Sequence, residues 1–186
     1  MILTHGAGSN GNAPLLVDVA EAFAAAGWLA MRYDLSFRRR RAHGPPGPAD
    51  SARDREGIER AAEAMRRLAP GRVFAGGHSY GGRQTAMLAA EKPDLFAGLL
   101  LLSYPLHPPA KPEQKRTAFF PSLRTPALFV HGAADPFASL EEVREALTLI
   151  AAPVDLLPVE RAGHELKGAA CFGAEIALRL VALATR

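Results

Sequence analysis

Val73-Phe74-Ala75-Gly76-Gly77-His78-Ser79-Tyr80-Gly81-Gly82 is the stretch on which the fold turns. Val73 to Ala75 reads as a short buried strand, and the residues from Gly82 to Glu91 take helical spacing. Between them stands G-x-S-x-G, Gly77 to Gly81. A strand that runs almost directly into a helix must turn sharply at the serine. Bulk at either glycine would collide with neighbouring elements, and the turn pushes the Ser79 hydroxyl into the open with a helix N-terminus behind it.

Outward from this elbow, strands and helices alternate. Upstream, Ile2 to Thr4 is expected as a strand, His5 to Gly11 as a glycine-rich turn, and Pro14 to Ala26 as a helix stopped by Gly27. Trp28 to Tyr33 is expected as a second strand, and residues 36–50, rich in arginine, proline and glycine, as a loop. Asp50 or Ser51 then caps a long helix in which Ile58, Ala62 and Met65 share a face, ending at Pro70-Gly71. Downstream, Leu99 to Ser103 is almost wholly apolar, the pattern of a strand covered on both faces. A proline-rich stretch, Tyr104 to Pro126, precedes strand Ala127 to Val130, helix Ser139 to Ile150, strand Val154 to Pro158 and a final helix, Ala169 to Ala184. With no internal repeat and no linker, residues 1–186 read as one α/β domain. Its core is a mostly parallel six-stranded sheet with helices on both faces. In such sheets ligands sit beyond the carboxyl ends of the strands.

Composition narrows the function classes. With 48% hydrophobic and 22% charged residues the chain is ordinary globular protein, not a disordered segment. The N-terminal residues show no secretory pattern, and no apolar run approaches the ~20 residues a membrane span needs. The single cysteine, Cys171, excludes an internal disulfide and a thiolate zinc site, so a cytoplasmic setting is expected. The net charge of +3 comes largely from one run, Arg38 to Arg41, read as a solvated loop rather than a polyanion surface; neither nucleic acid nor membrane is an expected partner. No histidine pair has helical metal-ligand spacing and no carboxylates cluster, so no metal and no cofactor are expected.

An activated serine needs a base, and the base an orienting acid. Asp135 follows the fifth strand in His131-Gly132-Ala133-Ala134-Asp135, and His164 follows the sixth in Gly163-His164, so both fall at the sheet edge that carries Ser79. His5, His78 and His131 read as structural or packing residues. Arg83 is expected to pair with an acid such as Asp34. A rival reading rests on Gly6-Ala7-Gly8-Ser9-Asn10-Gly11, a literal G-x-G-x-x-G, with Asp34 beyond it: a dinucleotide site using Gly6, Gly8 and Gly11. Pro14 counts against it, because it leaves Gly11 in the loop rather than in the first helical turn.

The order Ser79, Asp135, His164, with LTHGAG, GGHSYGG, LSYPLHPP, KPEQ, ALFVHGAADPF and AGHELK, resembles the α/β-hydrolase superfamily, in its dienelactone-hydrolase-like branch of small hydrolases. The resemblance runs from Ile2 to the end. It implies a serine hydrolase of small esters or thioesters with catalytic Ser79, His164 and Asp135, and an oxyanion hole from the backbone N–H groups of Ala7 and Tyr80. True dienelactone hydrolases use a cysteine nucleophile where this chain has Ser79. Relatives in the branch include a chromatin-complex subunit, so a non-catalytic binding or scaffold role is the alternative. Such folds usually begin with further strands; without them Trp28 to Tyr33 forms an edge, which a second copy of the chain or a loop is expected to cover. Candidate substrate contacts are Arg38 and Arg39, attracting an anionic group, with His107, Phe119 and Phe120.

Overall fold

The computed structural model describes residues 1–167 and 172–185; the expected start of the last helix at residues 169–171, Cys171 included, lies outside them. The chain runs β1 (Ile2–Thr4), α1 (Pro14–Ala25), β2 (Met31–Arg32), α2 (Ser36–Arg40), α3 (Asp50–Leu68), β3 (Phe74–His78) and α4 (Ser79–Glu91). It continues through β4 (Gly98–Leu102), a 3-10 turn at Phe120–Ser122, β5 (Ala127–Gly132), α5 (Leu140–Leu147), β6 (Val154–Val159) and α6 (Gly173–Ala184). The strands form one parallel sheet in the order β2-β1-β3-β4-β5-β6.

Alternating side chains of the central strands feed two cores. Ile2, Ala75, Leu99, Leu101 and Phe129 pack with Ile58 of α3, Ala86 of α4 and Val143 of α5. Leu3, Phe74, Leu100, Leu102 and Val130 pack on the other face with Leu16, Val19 and Phe23 of α1 and Ile176 and Leu180 of α6. This explains why β4 reads as a continuous apolar run. Among the described residues no helix is long and apolar enough to cross a membrane.

Three local expectations are corrected. Trp28 to Ala30 is not strand: Trp28 N–H caps α1 by bonding the Phe23 carbonyl (3.0 Å), and its ring packs edge-on against Phe23 and Phe74. The edge strand is therefore only two residues long, Met31 and Arg32, rather than the six expected. Within the expected loop, Ser36–Arg40 is a helix, because Phe37 is fully buried and its N–H is taken by Asp54 of α3 at 3.0 Å. Finally, β3 extends to His78 and α4 starts at Ser79 itself, so the elbow has no intervening loop.

Candidate active site

Ser79 sits where β3 becomes α4, with φ 51°, a left-handed conformation that a serine adopts only under constraint. The glycines around it answer to close approach. A Cβ on Gly77 would lie 2.1 Å from Thr4 Oγ1, and one on Gly81 would lie 2.5 Å from the His5 carbonyl oxygen. β1 thus presses against the elbow from one side and fixes the direction of the hydroxyl.

The loops after β5 and β6 bring the partners. The Ser79 hydroxyl donates to His164 Nε2 at 2.8 Å, and His164 Nδ1–H donates to Asp135 Oδ2 at 2.9 Å. The second Asp135 oxygen accepts the Phe137 N–H at 2.8 Å, so the carboxylate is held at both ends. Burial works to raise the Asp135 carboxyl, but the bonds from His164 and Phe137 outweigh it and keep the group below the ordinary carboxylate range. Phe137 also lies against the imidazole, ring centroids 4.3 Å apart. These groups border a cavity of about 310 Å³ lined by Gly6, Ala7, Gly8, Ser9, His78, Ser79, Phe137, His164 and Glu165. Ala7 lines it, and Tyr80 follows Ser79 in the first turn of α4. Neither backbone N–H is spent on another protein group among the described residues.

Several residues support this row without any periodic sequence signal. His78 donates Nε2–H to the His164 carbonyl at 2.8 Å and so pins the loop that carries the imidazole. Burial holds His78 below the usual histidine range. Asp54, fully buried, accepts from Tyr80 Oη at 2.8 Å and from Phe37 N–H, and burial raises its carboxyl despite both bonds. His5 accepts the Leu35 N–H through Nε2 (3.0 Å) and donates through Nδ1 to the Gly6 carbonyl (2.8 Å).

The expected substrate contacts are placed elsewhere. Arg38 is 8% exposed, and all five of its N–H donors are spent on carbonyls: Nε on Ser9, Nη1 on Arg41 and Ala42, Nη2 on Ala7 and Gly44. It braces the loop beside Ser79 and has no donor left for an anion. Arg39 lines a surface groove with Ser36, Arg40, Arg53 and Arg60, apart from the Ser79 cavity. His107 is buried, with Nδ1 on the Pro108 carbonyl (2.9 Å) and Nε2 facing Glu142 at 3.5 Å. Phe120 is core beneath Tyr104 and Phe129, and Phe119 packs on it; neither borders the cavity. Asp34 does not pair with Arg83. It accepts the Gly11 N–H at 2.7 Å instead, tying down the glycine-rich turn.

A parallel sheet flanked by helices, with a serine on a strained strand-to-helix elbow and a histidine and an aspartate from the next strand ends, defines the hydrolase class of α/β folds. Residues 1–184 match the family model described as an alpha/beta hydrolase domain, and the chain belongs to that family. Among solved structures, Est1E from Butyrivibrio proteoclasticus with ferulic acid bound superposes with a TM-score of 0.76 at 18% identity, covering 97% of this chain and 88% of that one. Dienelactone hydrolase from Anabaena variabilis gives 0.73 at 21% identity over 96% and 85% of the two chains. An alpha-beta serine hydrolase homologue from Coxiella burnetii gives 0.74 at 16% identity over 96% and 84%.

Proposed function

We propose that this protein is a serine hydrolase acting on small esters or thioesters. The observation that carries the reading is the unbroken hydrogen-bonded row from the Ser79 hydroxyl through His164 to Asp135, built on a serine held at φ 51°. In the reaction, Ser79 Oγ attacks the substrate carbonyl carbon while His164 Nε2 takes the hydroxyl proton. The tetrahedral oxyanion is met by the N–H groups of Tyr80 and Ala7, each donor of this kind worth about 10²–10³ in rate. Collapse breaks the bond to the alcohol or thiol, which leaves with the proton from Nε2. Water, deprotonated by the same nitrogen, then cleaves the acyl-Ser79 ester and regenerates the hydroxyl.

Asp135 fixes the imidazole tautomer and stabilises its transient cation. The cavity of about 310 Å³ stands at the low end of the range for small-molecule sites, which favours short acyl groups. A fluorophosphonate probe tests the reading: labelling of the wild type and none of Ser79→Ala is expected, with turnover in a screen of short-chain p-nitrophenyl esters and acyl-CoA thioesters. No labelling and no turnover would reduce the protein to a binding role on the same fold.

A further inference from the structure

Between α2 and α3 lies a groove of about 630 Å³, against about 310 Å³ for the Ser79 cavity, and it is bordered by Ser36, Arg39, Arg40, Arg53, Glu56 and Arg60. The sequence builds it from two short patterns. Arg39 and Arg40 end α2, while Arg53, Glu56, Gly57 and Arg60 stand at i, i+3, i+4 and i+7 of α3, one stripe of that helix. Gly57 lets the two helices meet. A Cβ there would lie 2.9 Å from Ser36 Oγ, which donates to the Arg53 carbonyl at 3.1 Å. Arginines thus reach one groove from both helices.

Four guanidinium groups share this space with one carboxylate. Arg40 is taken by Asp50 and by the Ser36 carbonyl. Glu56 stands 3.8 Å from Arg60, beyond hydrogen-bond reach. Arg39 and Arg53 have no ion pair among the described residues. The fold gives Arg38 five carbonyl contacts but leaves the next residue, Arg39, exposed at the groove. Like charges gathered in a cleft repel one another and focus a positive potential into it.

A second cavity, of about 270 Å³, adjoins the first. It shares Ser36, Arg39 and Arg60 with it and continues along Met31, Tyr33, Ala61 and Ala64, with Asp34 as its carboxylate. One Asp34 oxygen accepts the Gly11 N–H, which leaves the other as an acceptor. The two cavities are therefore polarised. The arginine end attracts anions, and the far end offers apolar and aromatic surface beside a carboxylate that repels them.

We propose that this groove binds a small molecule with at least two phosphate groups and an uncharged, flat body that donates hydrogen bonds, the chemistry of a nucleoside diphosphate. Guanidinium forks pair bidentately with phosphate oxygens, and arginines from two helices suit more than one phosphate. The body lies against Tyr33 and donates to Asp34. No residue bordering the Ser79 cavity and none of the Gly6 to Gly11 turn lines either cavity, so the site does not depend on the hydrolase reading.

Isothermal titration calorimetry at low salt, with ADP, pyrophosphate and adenosine, tests the site. One-site binding of pyrophosphate is expected, with ADP at least about fivefold tighter through stacking, adenosine weakest, and the same affinities in Ser79→Ala. The double variant Arg39→Gln with Arg53→Gln should weaken ADP about tenfold or more; both arginines are exposed, so folding is not at stake. The control is Arg67→Gln with Arg124→Gln, which removes the same charge from exposed positions outside both cavities. Equal weakening by the two double variants reduces the effect to net charge and overturns the site, as does the absence of saturable binding. Affinity lost in Ser79→Ala moves the ligand to the Ser79 cavity and overturns it too. Ala64→Phe, which fills the second cavity, should bring ADP down to the affinity of pyrophosphate. ADP bound no better than pyrophosphate by the wild type overturns the nucleotide assignment.

Discussion

Replacing Arg38 tests whether it holds the backbone or reads the substrate. Three of its five bonds are short, at 2.8 Å to Ser9, 2.7 Å to Ala42 and 2.8 Å to Ala7, and two are long at 3.3 Å. A hydrogen bond from a charged donor contributes about 1.5–3 kcal/mol. Loop carbonyls can be rehydrated, so the low end applies to the short bonds and little to the long ones, about 4–5 kcal/mol together. Glutamine, with a planar amide, replaces one or two of the donors, and Arg38→Gln should cost about 2–3 kcal/mol. At about 2–4 °C per kcal/mol for a domain of this size, calorimetry should show Tm lower by about 5–10 °C.

The loop so released carries the Ala7 N–H, and one oxyanion donor supports about 10²–10³ in rate. Partial misplacement should lower kcat about 10–100-fold on a neutral p-nitrophenyl ester, with KM changed less than about threefold. Arg38→Lys is the discriminating variant. It keeps the charge but cannot span carbonyls on both loops, so it should resemble the glutamine protein. An unchanged Tm and kcat, with a selective loss of anionic esters restored by lysine, would refute the reasoning and return Arg38 to the substrate.

Asp135→Asn preserves shape but breaks the charge pairing and tautomer control of His164, and kcat should fall about 10³–10⁴-fold with a modest KM change in stopped-assay ester hydrolysis. Gly81→Ala places a methyl group 2.5 Å from the His5 carbonyl, so soluble yield and Tm should drop sharply, by more than about 3 kcal/mol in urea unfolding. Asp54→Ala leaves the Tyr80 hydroxyl and Phe37 N–H without their acceptor and should cost about 2–4 kcal/mol, whereas Asp54→Asn, which retains an acceptor for Phe37 N–H, should cost less; equal losses would contradict the hydrogen-bond account. Burial lowers His5, His78 and His131, so below about pH 6.5 the unfolded chain binds protons that the folded one refuses. Stability should therefore fall as pH drops from 7.5 to 5.5, by up to about 1.4 kcal/mol per histidine per pH unit, and urea midpoints that stay constant over this range would contradict it.

Much of this architecture was legible because periodicity reports burial. Leu99 to Leu102 is apolar throughout since α-helices cover both faces of β4, and G-x-S-x-G reports a crowding that the Thr4 and His5 contacts make explicit. Ser79, Asp135 and His164 could be picked out because each follows a strand on the same sheet edge. The groups that support them could not. His78 bonds a carbonyl 86 residues away and Arg38 one 31 residues away, and a bond from a side chain to a distant backbone leaves no spacing to read. The arginine run misled for the same reason. Its charge was visible in the sequence, but the carbonyls that absorb Arg38 were not.

The glycine-rich turn shows why spacing alone could not choose between two chemistries. Glycines at Gly6, Gly8 and Gly11 report that something approaches the backbone closely, without saying what. At Gly11 it is the chain's own Tyr33, whose backbone would lie 3.0–3.2 Å from an added Cβ. The N–H of Gly11 is already given to Asp34, the acid a dinucleotide reading would need for a ribose, and α1 begins only at Pro14. The turn is held by bonds of its own, Ser9 N–H to the Gly6 carbonyl and Asn12 N–H to Asn10 Oδ1, and is tied from outside by Asp34 on the Gly11 N–H and by Arg38 on the Ala7 and Ser9 carbonyls. The donors that would cradle a pyrophosphate are thus partly consumed in bracing the turn, while the Ala7 N–H stays uncommitted beside Ser79. On the proposed hydrolase reading, the same glycine pattern would serve an oxyanion rather than a nucleotide, because of which backbone groups its neighbours leave free.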